Sequence, residues 1–181
     1  MLALTATSVA SAVPIDGDWI TDGGGTWSDP ANWSGGTLPM NADSVADFVD
    51  AWNVALAVDL DVNATIGRLA FRDNGAVNRD MTLSTSNGSV LTLDGDTIYA
   101  TPIVTARNRR LTINAVMAGD DGVLLLDPAD SVGWVFINAH NTYTGGTTIG
   151  DPAGLASGSL SARKLVTVLA DGRLGFGDVL V

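Results

Sequence analysis

The chain has 181 residues, 46% of them hydrophobic and only 16% charged, with a net charge of −11 and no cysteine. That is enough for one domain with a real core, and too apolar for intrinsic disorder. No apolar run reaches the ~18 residues that cross a bilayer as a helix; the missing thiols exclude disulfides, thiolate metal centres and cysteine nucleophiles; and so acidic a surface repels phosphate backbones, which argues against a nucleic-acid partner.

The 20 acidic residues are all aspartate, glutamine is absent, and Lys164 is the sole lysine. Glu, Gln and Lys are the residues that solvent-facing helix positions favour, because straight side chains lose little rotamer freedom there. Asp, Asn and Gly serve turns, and Thr and Val serve strands. The composition therefore predicts an all-β chain of many short strands. The same absences restrict chemistry. His140 is the only histidine, so a histidine triad or an imidazole metal site would have to use it. No catalytic residue, cofactor or metal ligand set is expected.

Residues 1–12 are small and apolar, and Ala10-Ser11-Ala12 fits a small-x-small cleavage pattern, as in the remnant of an export signal. A flexible tail is the alternative, since the basic start is missing. Residues 13–53 form a distinct segment carrying Trp19, Trp27, Trp33 and Trp52 among dense Gly and Asp. From 54 to 181 a different rhythm holds. Short apolar or alternating runs recur at 54–58, 64–71, 81–85, 89–93, 97–105, 110–116, 122–126, 133–137, 146–149, 164–170 and 173–177, separated by turn signals such as RDNG, STSNG, LDGD and MAGDDG. No segment keeps a 3.6-residue apolar period over a helical length. Sandwich, barrel and parallel β-solenoid all suit many short strands, and the SNG, DNG and DDG turns permit hairpins. Thr-rich units of coil length also suit a solenoid, in which each coil stacks on the last.

The stretch 111–149 bears on that choice. Ile113-Asn114-Ala115-Val116-Met117-Ala118-Gly119-Asp120-Asp121-Gly122-Val123 leads through a strand to Asn141-Thr142-Tyr143-Thr144-Gly145-Gly146-Thr147-Thr148-Ile149. It resembles the autotransporter-associated β-strand repeat, also called the passenger-associated transport repeat, whose units run I-x-A-x-I-x-G-x-G-G-L, G-x-L-x-L, N-T-Y-T-G-G-T-T-I. Asp127-Pro128-Ala129-Asp130-Ser131-Val132 departs from the usual Gly/Ser-rich turn, Trp134 and Phe136 occupy the strand, and the coil after Ile149 is long. Gly25-Thr26-Trp27 through Asn32-Trp33, then Leu38-Pro39 and Asp43 to Phe48, is similar to the opening of exported repeat proteins of this kind. The resemblance implies a right-handed single-stranded parallel β-helix with an N-terminal Trp/Gly-rich cap. It also implies a secreted or cell-surface bacterial passenger, associated with the outer membrane, and names no activity. Asn141, Thr142, Tyr143, Thr144, Gly145, Gly146 and Thr147 are expected to be structural, with Gly145-Gly146 at a tight corner and the Tyr143 hydroxyl reaching water.

The expected function is a non-enzymatic structural or adhesive module. Its partners would be surface glycans or the surfaces of host or neighbouring cells, with no nucleic acid and no membrane span. A glycan-binding module is the alternative, with Trp19, Trp27 and Trp33 as stacking platforms; as a cap, those indoles would instead seal the first coil. A polysaccharide-acting enzyme would draw on Arg107, Arg109 and Arg110 and on Asp59, Asp61, Asp94, Asp96, Asp120 and Asp121, the same aspartates being candidate calcium ligands; turn capping is the simpler use for them. Inward positions are expected at Leu69, Phe71, Leu91, Leu93, Ile113, Leu124, Leu126, Val135, Ile137, Ile149, Val166 and Val168. The strand-like end, residues 175–181, leaves an open coil and predicts either a longer protein or self-association.

Overall fold

A short apolar strand in this chain has no local partner, so it must bury its face and pair its backbone against another turn of the chain. The computed structural model of the protein describes residues 13–77, 79–95, 103–107, 109–126, 133–149, 166–168 and 179–180. Strands β1 (Gly17–Asp18) and β2 (Gly24–Thr26) open the stack, followed by two short 3₁₀ turns at Pro30–Asn32 and Ser34–Gly36. The next turns carry β3 (Val45–Asp50), β4 (Leu56–Asp59) and β5 (Ala64–Ile66), then β6 (Arg68–Asp73), β7 (Met81–Ser84) and β8 (Val90–Leu93). Above them lie β9 (Ile103–Arg107), β10 (Arg110–Ile113) and β11 (Val116–Ala118), then β12 (Val123–Leu126) and β13 (Trp134–Ile137). β14 (Thr147–Ile149), β15 (Val166–Val168) and β16 (Val179–Leu180) complete the series.

These strands form three sheets, ordered β1-β3-β6-β9-β12-β14-β16, β2-β4-β7-β10-β13-β15 and β5-β8-β11. Every strand pair among the described residues is parallel. The chain is therefore an all-β parallel solenoid of about five turns. The stack begins earlier than residue 54. β1 and β2 pair with β3 and β4, so the tryptophan-rich segment contributes its own rungs. Residues 1–12, on which the export-signal expectation rests, lie outside the described residues, and of the open-end segment 175–181 only Val179–Leu180 is described, as β16 paired with β14.

Parallel register puts the same inward position of successive turns in contact. One core column runs Ala46, Leu69, Val104, Leu125, Ile149. Others run Leu56, Met81, Leu111, Val135 and Val58, Leu83, Ile113, Ile137, while Ala64, Leu91, Met117 line the third sheet. Fully burying each such Leu, Ile, Val or Met stabilises by about 1.5–3 kcal/mol. Leu69, Phe71, Leu91, Leu93, Ile113, Val135 and Ile137 are buried as expected, and Ile149 packs partly buried against them. Leu124 is a correction. In the continuous run VLLL nothing in the sequence marks the inward parity. Pairing with Val104 selects Leu125, so Val123 and Leu125 point inward and Leu124 lies half-buried on the other face. The side chains of Leu126, Val166 and Val168 lie outside the described residues.

Two devices hold the first turns. Trp19, Trp27 and Trp33 converge on Phe48, with ring centroids 5.4, 6.0 and 5.5 Å from it. The Trp33 indole N–H donates to the Trp27 carbonyl at 2.7 Å, and Trp19 donates likewise to Thr21. The second device is Asp73, a buried carboxylate at the end of β6. It accepts from the backbone N–H of Trp52 (3.3 Å) on the turn below and of Gly75 and Arg79 (2.8 Å each) in its own loop. Its other neighbour is the Arg109 guanidinium at 3.6 Å, from the turn above. One side chain thus ties three turns.

Trp33→Ala is expected to cost about 3–5 kcal/mol, the cost of removing a buried aromatic ring, read by urea unfolding; a loss below ~1 kcal/mol would show that the cap does not carry the first turn. Asp73→Ala is expected to cost about 3–5 kcal/mol because it removes the acceptor of three backbone donors and the carboxylate facing Arg109, and Arg109→Met in the same background should recover part of it in a double-mutant cycle.

Candidate functional site

The nonapeptide 141–149 is the most distinctive motif, and its geometry is that of a rung. Thr142 and Thr144 donate their backbone N–H to the Met117 and Gly119 carbonyls (2.9 and 3.1 Å), so the segment runs alongside β11 without being a regular strand. Asn141 turns its side chain back to accept the Met117 N–H at 2.8 Å, replacing a missing backbone acceptor. Gly146 has φ +84°, and a Cβ on Gly145 would collide with the backbone nitrogen of Gly122 on the turn below. The corner therefore needs glycine for both conformation and clearance. The Val123 N–H donates to the Gly146 carbonyl (2.9 Å), and β14 restarts at Thr147. Tyr143 differs from expectation. Its hydroxyl is not in water: the residue is fully buried and shares a 2.7 Å hydrogen bond with Thr147 Oγ1. Burial pushes its phenol pKa up, and the bond to Thr147 pulls it partly back. A ring on the inward parity of the rung has nowhere else to go, and the neighbouring threonine supplies the partner a buried hydroxyl needs.

The aspartates expected at turns act as clamps between successive turns. Asp59 accepts from the Ser86 backbone N–H and hydroxyl (2.8 and 2.6 Å) on the turn above. Asp61 accepts from the same two groups of Ser28 (2.9 and 2.5 Å) on the turn below. Asp22 holds Asn53 and Val54 in the same way, its shortest bond being 2.7 Å from the Asn53 side chain. For Asp61 burial alone would raise the pKa, but the Ser28 hydroxyl and N–H outweigh it and hold the carboxyl below the ordinary range; the Asn53 amide does the same for Asp22. Asp47, on the outer face of β3, goes the other way. Burial, then the neighbouring Asp18, raise it against the pull of Arg68 and Arg72.

Asp94, Asp120 and Asp121 line a corner groove of about 320 Å³ with Thr92, Leu93, Gly119 and Thr142. One oxygen of Asp121 is taken by the Gly95 N–H at 2.8 Å. Among the described residues no three carboxylates or imidazoles come close enough together to hold a metal ion. Arg109 is turned to Asp73, and Arg110 lies on a different face from the groove aspartates. Asp96 and the Arg107 side chain lie outside the described residues. His140 is exposed.

The tryptophan platform needs correction. Trp19, Trp27 and Trp33 are 2%, 0% and 1% exposed and Trp52 is 4%, so none offers an open ring face. For Trp19, Trp27 and Trp33, mutual packing around Phe48 consumes those faces. Trp134 is the exception at 36%. On β13 Val135 and Ile137 point inward, so Trp134 and Phe136 share the outer face of the six-stranded sheet. Two outward columns cross the turns there. One is Asp80, Arg110, Trp134; the other is Ala57, Thr82, Thr112, Phe136. The Arg110 guanidinium carbon sits 5.0 Å from the Phe136 ring centroid, and its Nε is 4.0 Å from Asp80. The W-x-F alternation of residues 134–136 carried this signal in the sequence, where it stood only as a departure from the repeat.

No protein-family model, curated protein or solved structure matches the chain.

The clamps set the acid behaviour. A carboxylate whose folded pKa is lowered contributes stability that is present above its unfolded value, about 3.9, and is lost as pH falls through the folded value. Replacing Asp61 and Asp22 together with Asn is expected to lower the melting temperature at neutral pH. The gap from the parent should then shrink as pH falls below about 4; a gap independent of pH would show that the two carboxylates are not ionic clamps.

Proposed function

We propose that the protein is a non-enzymatic structural and adhesive module of a secreted or cell-surface passenger, whose coils serve as a rigid stalk presenting an outward sheet face. The observation that carries this reading is the use made of the nonapeptide 141–149. Asn141, Tyr143, Gly145, Gly146 and Thr147 are all spent on stacking one turn on the next. The most distinctive motif in the sequence therefore supports a scaffold. The aspartates support the same reading. Asp59, Asp61 and Asp121 commit oxygens to hydroxyl and backbone donors of neighbouring turns, which leaves them poorly placed to act as an acid and base on a substrate. The resemblance of 111–149 and of the tryptophan-rich opening to exported repeat proteins supports the surface location and a partner on another cell or its glycans. No helix among the described residues is long and apolar enough to cross a membrane.

An antibody against the chain should label intact producing cells or their medium without permeabilisation. Labelling confined to permeabilised cells would overturn the surface assignment. Incubation with soluble polysaccharides should release no new reducing ends or unsaturated products, with or without calcium; release of either would overturn the non-enzymatic one.

A further inference from the structure

From the outer face of the six-stranded sheet we infer a binding site for an extended neutral polysaccharide, centred on Trp134 and Phe136 and flanked by Arg110, Asp80, Thr112 and Thr82. Alternation along β13 holds the two aromatic side chains on one side of the sheet while Val135 and Ile137 anchor the strand in the core. The strand therefore presents both rings on the same side of the sheet before any ligand arrives. A pyranose ring has an apolar C–H face and a rim of hydroxyls. The apolar face stacks on an indole or phenyl ring, and the rim needs donors and acceptors beside it. Arg110 donates, Asp80 accepts, and the threonine hydroxyls of the adjacent column do both.

The face itself selects the ligand class. It is an open sheet face built from columns that continue from turn to turn at about 4.8 Å, whereas a small free molecule calls for a concave pocket. A row of stacking and hydrogen-bonding groups continued from turn to turn fits a chain laid across several turns. Among the described residues the exposed cation of this face is already balanced. Arg110 lies beside Asp80 and over Phe136, and the chain as a whole carries −11. A polyanionic glycan would be repelled by that net charge, and among the described residues this face offers it no cation beyond Arg110, which favours a neutral one. A protein partner fits less well. Two partly covered aromatic rings offer at most a few hundred Å², against about 800 Å² per side for a stable interface.

This inference rests on the adhesive reading and names its ligand and its residues. The test is affinity electrophoresis of the intact chain through gels holding soluble β-glucan, mannan or dextran as neutral probes and polygalacturonate as the acidic one, with intrinsic fluorescence in parallel. At least one neutral probe should retard the chain. Because Trp134 is the exposed indole, its emission should be the part quenched by iodide and protected by that probe. Trp134→Ala should weaken retardation about tenfold and Phe136→Ala by less. Trp134→Tyr should keep most of it, and Trp19→Phe all of it. An unchanged melting temperature in Trp134→Ala and Trp134→Tyr separates lost binding from lost folding. Retardation by polygalacturonate alone, retardation that survives Trp134→Ala, or no retardation accompanied by Trp134-dependent dimerisation would each overturn the inference. Surface labelling with no glycan binding would sink this inference alone; glycan binding by a chain found only inside cells would sink the surface assignment alone.

Discussion

Everything in this molecule depends on one requirement, that each turn hydrogen-bond in parallel to the turns above and below. Parallel strands have no hairpin partner next to them in sequence, so backbone donors and acceptors are satisfied only when the neighbouring turn is in register. Register then brings identical positions of successive turns to about 4.7–4.9 Å. Inward positions become columns such as Ala46, Leu69, Val104 and Leu125, and corner positions become columns of polar groups. At one corner Asn114 donates to Ser84 Oγ and Asn138 donates to Asn114 Oδ1, at 3.2 and 2.9 Å.

That spacing also accounts for the odd composition. A corner side chain that must reach a donor on the very next turn wants one methylene before its carboxylate or amide, as in Asp59, Asp61, Asn63 and Asn141. Glutamate would overshoot a donor one rung away and lose more rotamer freedom in being held. Asp73 is the extreme case, a buried carboxylate bonded to the turn below, to its own loop and to a guanidinium from the turn above. The end of such a stack is its weak place, since an uncovered terminal rung exposes both core and backbone. The tryptophan-rich segment adds the rungs β1 and β2 there and packs its indoles around Phe48, filling the first turns with aromatic surface.

The same economy says where function can sit. Inward positions are fixed by packing and corners by clamps, so only outward side chains are free to be chosen for something else. On the six-stranded sheet those positions hold an aromatic pair, an ion pair and the threonines Thr82 and Thr112. A binding face there costs the scaffold little, because Val135 and Ile137 already supply the burial that β13 needs.

Much of this was legible in the sequence. Missing glutamate and glutamine with abundant Asp, Asn, Thr and Val is a local property, and it points to short strands and tight corners without reference to any contact. Alternating runs such as MTLS and RLTI declared which residues face inward, and Gly145-Gly146 declared its corner. What was not legible depends on partners far away in the chain. In VLLL both parities are equally apolar, and only the pairing of Leu125 with Val104 chose between them. A tryptophan reads the same whether its faces meet sugar or Phe48, so Trp19, Trp27 and Trp33 could be assigned to the core, and Trp134 to the surface, only once the turns were stacked. Local chemistry sets what each residue can do; the stacking of one turn on the next decides which neighbours it meets, and burial is a property of those neighbours.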